Sequence, residues 1–224
     1  DRMFIGDAAV TNIRLPVTHR GNRMKLYFSP GACSLAPHIV LRGSRLDFSL
    51  ERVDLAQHRV ASGVDYYAIT AKGQVPLLAL DDGSTLSEGP IICQFVADRA
   101  GNTTLMPAAG SIERYRVLEW QNYITSELHK SYSPLFNADF DAAAKALHAR
   151  LLRKKYEWVE SKLQESSYLT GNSFTAADAY LFVVTSWAKH VELDLADLDR
   201  LQGFNARVAA RPAVQAALKA EGLI

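Results

Sequence analysis

Cysteine is scarce in this chain, charge of either sign barely dominates, and long apolar runs are missing. Only two cysteines, Cys33 and Cys93, occur in 224 residues. That is too few for a disulfide framework and suits a reducing compartment. The 25 Lys+Arg against 24 Asp+Glu leave a formal net charge of +1. Binding to nucleic acid would need a concentrated basic face, so no such partner is expected. No stretch approaches the roughly 18 consecutive apolar residues of a membrane span. The protein is expected to be soluble and to have no membrane partner. No internal repeat or low-complexity segment occurs. What is present is 48% hydrophobic residues, in a chain long enough for one large domain or two small ones, each with a sizeable core.

Residues 1–23 read differently from the rest. They show no clear period, scatter Thr11, Asn12, Pro16 and Gly21 among single apolar residues, and end in Arg-Gly-Asn-Arg before Met24. The apolar core and small-residue cleavage site of a secretory signal are lacking. The segment is read as an N-terminal extension or tail with Met24 as the functional start, and alternatively as a strand exchanged in a dimer.

From Met24 the pattern is strand-like through Phe28, turns at Ser29–Gly31, and becomes helical over Ser34–Arg42, where Pro37 fits only a first turn. Alternation marks a second strand near Asp47–Val53, and a short helix follows at Asp65–Ile69. Val75–Leu80 and Ser84–Leu86 flank Asp81-Asp82-Gly83, a hairpin signal in which both turn positions call for positive φ. Gly89-Pro90 opens a helix to about Arg99, with Ile91, Ile92, Phe95 and Val96 inward. The order β-α-β-α-β-β-α gives a mixed four-stranded sheet, because the first β-α-β needs parallel strands. Beyond a linker the chain is helical: Ser111–Ser131, Ala142–Glu165, Thr175 to about His190, Asp197–Ala209 and Pro212–Ala220. The divisions expected are 1–23 as tail, 24–103 as an α/β domain, 104–110 as linker and 111–224 as an all-α domain.

Cys33 stands just before a helix start, where free N–H groups and the positive dipole end favour an anion. A thiolate is expected there, so Cys33 is a candidate reactive residue; the plainer reading is a small buried side chain at a helix start. Ala36 sits three residues on, so no local Cys-x-x-Cys pair can close. Cys93, among Ile92, Phe95 and Val96, reads as core. Pro76, read from the residues alone, starts an edge strand. Glu88 is either a solvated acid before a helix or an acceptor for a ligand ammonium. Thr175-Ala-Ala-Asp178 reads as a structural capping box. The aromatics Trp158, Tyr180 and Trp187 are assigned to the core, some with a place in a pocket wall.

Four blocks carry a resemblance. Met24-Lys-Leu-Tyr-Phe-Ser-Pro-Gly-Ala-Cys-Ser-Leu-Ala-Pro-His38, Lys72-Gly-Gln-Val-Pro76, Asp81-Asp-Gly83 with Ser87-Glu-Gly89, and Phe174-Thr-Ala-Ala-Asp-Ala-Tyr180 stand in order at the right intervals. Together they make Met24–Ile224 resemble the bacterial beta-class glutathione transferases. The resemblance implies a thioredoxin-like first domain, an all-α second domain holding the electrophile site, glutathione as co-substrate without a metal, a cytosolic homodimer, and a role in detoxification.

It also implies roles for residues. Cys33 meets the glutathione sulfur, and Val75 precedes a cis proline and pairs with the peptide's main chain. Glu88 and Gly89 hold the γ-glutamyl group, with a serine hydroxyl absent at Gly89. His58 falls where a lysine is common, and alone would be called a surface histidine. Family correspondence also falls on Asn122, Ser126, Glu127, Leu128 and His129. Asn122, Ser126 and His129 recur at roughly helical spacing, which would turn one helix face to the cleft. His129 is a candidate hydrogen-bond partner of the sulfur, against the alternative of an exposed histidine near a helix end. Phe28 replaces a frequent tyrosine, which leans the chemistry toward Cys33 and His129. Three functions stay open: conjugation of the thiolate to apolar electrophiles, thiol-disulfide or reductive dehalogenase chemistry through a Cys33 mixed disulfide, and non-catalytic ligand binding.

Overall fold

The computed structural model describes residues 24–163 and 166–224. The tail assigned to residues 1–23, and the last two residues of the helix expected to reach Glu165, lie outside the described residues.

In β1 (Met24–Phe28) the residues Met24, Leu26 and Phe28 are buried and alternate with half-exposed Lys25 and Tyr27. A strand's period of two sends alternate side chains to one face. The chain crosses over through α1 (Leu35–Ser44) to β2 (Phe48–Asp54), which pairs with β1 in parallel from Met24↔Phe48 to Phe28↔Arg52. On the other side β4 (Leu77–Ala79) runs antiparallel to β1, and β5 (Thr85–Ser87) antiparallel to β4.

Among the described residues the sheet has five strands rather than the four expected, with β3 (Arg59–Val60) giving the order β3-β2-β1-β4-β5. The added strand is two residues long and antiparallel to the end of β2. Two residues cannot display an alternation. What folds them back is Asp54, whose carboxylate accepts from the N–H groups of Ala56 and Gln57 at 2.9 and 3.0 Å.

The hairpin also differs in detail. Gly83 has φ +85°, but no positive φ occurs at Asp81 or Asp82. Gly83 N–H donates to Leu80 O at 3.0 Å and Leu80 N–H to Ser84 O at 2.8 Å. This is an ordinary turn followed by one left-handed glycine, which needs positive φ at a single place.

In α2 (Gly89–Arg99) the buried face is Ile92, Cys93, Val96 and Ala97, while Ile91 is 47% exposed, against expectation. The helical period puts Ile91 one step of about 100° off that face. Cys93 is buried in the core, and burial pushes its thiol up.

The helical part begins with α3 (Ile112–Tyr123), capped by Ser111 Oγ accepting from Arg114 N–H at 3.2 Å. Arg114 also forks onto Asp98 of α2 with bonds of 2.8 and 2.7 Å, joining the α/β and helical parts. The expected single helix to Ser131 instead widens into a π-helix over Ile124–His129, tightens at Lys130–Tyr132, and ends in α4 (Ser133–Phe136).

The remaining α-helices among the described residues are α5 (Ala142–Lys162), α6 (Ala176–Ser186), which a 3-10 turn at Ala188–His190 follows, α7 (Asp199–Ala209) and α8 (Pro212–Ala220). Nearly all of α6 is buried, and α1 packs on both α6 and α8. The capping box at its start is present: the Asp178 carboxylate accepts from Thr175 N–H, Thr175 Oγ1 and Leu169 N–H at 2.7–2.8 Å. Trp158 is the aromatic misplaced by sequence reasoning. It is 41% exposed and clusters with Trp120 and Tyr123 on the surface of α5 and α3.

Candidate active site

A cleft of about 480 Å³ opens where the loop before β4 and the start of α2 face the π-helix and α6. On its α/β side stands Cys33. Ser34 precedes α1 without capping it by its side chain; its hydroxyl instead accepts from Ser29 N–H at 3.2 Å and donates to Ser29 O at 3.3 Å, closing the loop that carries Cys33. The Cys33 Sγ donates to Val75 O at 3.2 Å. Burial pushes this thiol up to about 11, against the pull of the Cys33 and Ser34 N–H groups. The expected thiolate is therefore corrected: in the free cleft, loss of solvation outweighs the helix start. Cys33 is a protonated donor.

The Val75–Pro76 bond is cis. Glu88, the residue before α2, sits at φ +68°, a conformation costing a non-glycine residue of order ~1–3 kcal/mol. Its carboxylate takes Lys72 Nζ at 2.8 Å, with both groups more than half exposed. Such a pair adds little stability, and its consequence is charge at the cleft rim. Gly89 follows it with a first-turn N–H that has no acceptor within the helix, while Pro90 has no N–H to satisfy. At the far end His58 stacks on Tyr67, with centroids 4.4 Å apart, and Nδ1 of His58 is buried with no hydrogen-bond partner among the described residues.

In the helical wall, only part of the set read from sequence lines this cleft. Asn122 and Ser126 are exposed and do not line the cleft; Leu128 is fully buried in the core; Glu127 pairs with Lys155 at 2.9 Å. Thr125, His129, Lys130 and Ser133 line it instead. The π-helix explains the change. Lys130 N–H reaches back five residues to Thr125 O, and this wider turn sets residues four and five apart side by side. Of the expected set, Cys33, His58, Val75, Glu88, Gly89 and His129 thus share the cleft.

His129 is half-buried, with Nδ1 2.6 Å from the Tyr180 hydroxyl. Burial, then the Lys130 charge, lowers it to about 4, opposed by Glu88. It is neutral at ordinary pH. The ring also stands edge-on to Trp187, with centroids 4.8 Å apart, and Trp187 packs in turn on Tyr132 and Phe136. A larger hollow of about 590 Å³, between residues 103–120 and 169–175, contains neither cysteine nor histidine and so offers no comparable chemistry. Among the described residues no group of His, Cys, Asp or Glu is arranged to hold a metal ion.

Comparison with known proteins agrees with this geometry. Residues 31–99 match the glutathione S-transferase N-terminal domain and residues 126–221 the C-terminal domain. The chain is 48% identical over 200 residues to glutathione S-transferase GstA of Escherichia coli O157:H7, covering 89% of this chain and 100% of that one. This chain belongs to the glutathione S-transferase family. BphK, a bacterial glutathione S-transferase solved as a ternary complex, superposes with a TM-score of 0.86 at 50% identity, over 88% of this chain and 99% of its own. A sphingomonad glutathione S-transferase complexed with glutathione gives 0.85 at 42% identity, over 89% and 100%. The beta class is represented by the enzyme of Sphingomonas chungbukensis, at 40% identity, TM-score 0.86, over 89% and 100%.

This glutathione S-transferase therefore has the thioredoxin-like and helical domains expected. Sequence reasoning missed Thr125, Lys130, Ser133 and Lys72 as cleft residues, and left Tyr180 unplaced between core and pocket. Lys72 and Tyr180 belong to blocks quoted for other reasons. The π-helix residues carried no signal, since a local widening does not alter composition. Phe28 is in the core, 6% exposed, and offers no phenol.

Proposed function

We propose that the enzyme joins the glutathione thiolate to apolar electrophiles, with Cys33 as the hydrogen-bond donor that stabilises that thiolate. The carrying observation is the Cys33 S–H bonded to Val75 O inside the cleft. Main chain at Val75 suits strand-like pairing with the cysteinyl unit of glutathione, which brings the peptide's sulfur beside Cys33. The Cys33 proton then has a charged acceptor in place of a carbonyl, a stronger bond. The thiol proton of glutathione passes to solvent. Glu88 and the main chain of Gly89 serve the γ-glutamyl ammonium and carboxylate, and His58 serves the glycyl end. His129 assists at the sulfur. Phe136, exposed and stacked on buried Tyr132 close to Ser133 of the cleft wall, supplies apolar surface for the electrophile.

The division at residues 104–110 separates the peptide-binding part from the electrophile-binding part in this reading. Asn122 and Ser126, exposed and outside their own cleft, fit a homodimer in which they meet the partner's peptide; Glu127 and Leu128 then act as the frame that holds them. The cytoplasm supplies both glutathione and reducing conditions.

A Cys33 variant series tests the central role. Cys33→Ser keeps a donor and should retain conjugation of an activated chloroarene, while Cys33→Ala should lose about tenfold or more. Equal loss in both, together with a glutathione mixed disulfide on the wild-type protein during turnover, would replace conjugation by the thiol-exchange reading. Glutathione binding with neither activity would leave only ligand binding.

A further inference from the structure

Tyr180 lies in α6, one turn beyond the capping box, and its hydroxyl is 2.6 Å from His129 Nδ1 in the cleft wall. The bond can run either way in principle. Chemistry decides its direction. A phenol is a better donor than an imidazole N–H, and a bare imidazole nitrogen is a better acceptor than a phenol oxygen. The favoured arrangement therefore has Tyr180 O–H donating to Nδ1, which leaves the ring proton on Nε2.

The ring is also fixed in orientation. Trp187 holds it edge-on, and Trp187 Nε1 donates to Gly31 O at 2.8 Å, tying this face to the loop that carries Cys33. We propose that Tyr180 is a positioning residue that fixes His129 as the Nε2–H tautomer, so that a neutral N–H faces the glutathione sulfur as a second donor beside Cys33. This rests on the transferase reading above.

The charged groups acting on the His129 ring are Lys130 on its own turn and Glu88 across the cleft, and the Tyr180 hydroxyl faces Cys33, Cys93 and Glu88. Burial keeps His129 neutral and Tyr180 protonated, so neither exchanges a proton during the reaction. The thiol proton leaves to solvent, and His129 contributes a hydrogen bond only.

Nitrogen-15 NMR of the full-length protein at neutral pH tests the tautomer without reference to activity. The wild type should show His129 Nε2 protonated and Nδ1 bare, and Tyr180→Phe should give a mixture with the Nδ1–H form. In the glutathione complex the same variant should raise the bound thiol's pKa by about one unit, a tenfold fall in thiolate at a given pH below it, with KM for glutathione within about twofold. In a His129→Asn background, Tyr180→Phe should change nothing further. A wild-type ring protonated on Nδ1 overturns the proposal, as does a Tyr180→Phe protein with unaltered tautomer or thiol pKa. If the tautomer and its shift are found but no conjugation is, the failure belongs to the transferase reading.

Discussion

Glu221 and His38 form a buried pair, Oε1 to Nδ1 at 2.8 Å, that joins the end of α8 to the middle of α1. The other Glu221 oxygen accepts the Gly31 N–H at 2.9 Å, two residues before Cys33. Arg42 Nε completes the chain by donating to His38 Nε2 at 3.2 Å. One carboxylate thus ties the second domain to both the first helix and the active-site loop.

Glu221→Ala should destabilise the enzyme by about 3–5 kcal/mol, because it strands His38 and the Gly31 N–H without their acceptor. Chemical denaturation of the full chain checks this. A loss below about 1 kcal/mol would mean that the pair contributes no more than a surface one.

Cys33 should react slowly with alkylating agents at neutral pH in the absence of glutathione. With its pKa near 11 the reactive thiolate is the minor form below that pH, and its fraction rises about tenfold per pH unit. The rate should climb without a plateau from neutrality into the alkaline range. A plateau below about pH 8 would show that the helix start outweighs burial after all.

His129 should leave a mark on stability at acid pH. Its folded value near 4 lies below the unfolded one, so the unfolded chain binds the extra proton first. That contribution is neutral above the unfolded value of about 6.5 and becomes increasingly destabilising as pH falls toward 4. His129→Asn should flatten this acid limb, as measured by thermal melting across that range. An unchanged limb would place the titration elsewhere.

Gly73→Ala should weaken glutathione binding more than it changes kcat. Gly73 has φ +59°, and a Cβ there would collide with the Tyr67 ring and press on His58 Nδ1. Displacing that stack disturbs the glycyl end of the cleft without touching the sulfur. An increase in KM for glutathione of several-fold is expected; an unchanged KM would remove His58 from the site.

How far the sequence carries depends on what each element shows in its pattern. Alternation exposed β1, and the run from Pro212 to Ala220 matched α8 because a first-turn proline and a helical period both mark it. Two-residue β3 is too short to alternate, and Asp54's turn-forming role needs its partners in space. The cleft residues of the α/β part were legible because Cys33, Val75, Glu88 and Gly89 lie in short contiguous blocks. The helical wall was less so. Asn122 and Ser126 do share a face, Ser126 Oγ donating to Asn122 O at 3.1 Å, but the π-helix at Ile124–His129 brings Thr125, His129 and Lys130 to the cleft, and a local widening leaves no mark on composition. The Tyr180–His129 contact joins residues 51 apart, a separation no local pattern encodes.

The most direct measurement is a pH titration of the bound glutathione thiol, followed by thiolate absorbance, in wild type, Cys33→Ser and Cys33→Ala. The wild type should show a thiol pKa below that of free glutathione, largely kept by serine and raised by about one unit in the alanine variant. A bound thiol with the same pKa in all three proteins would contradict the role given to Cys33.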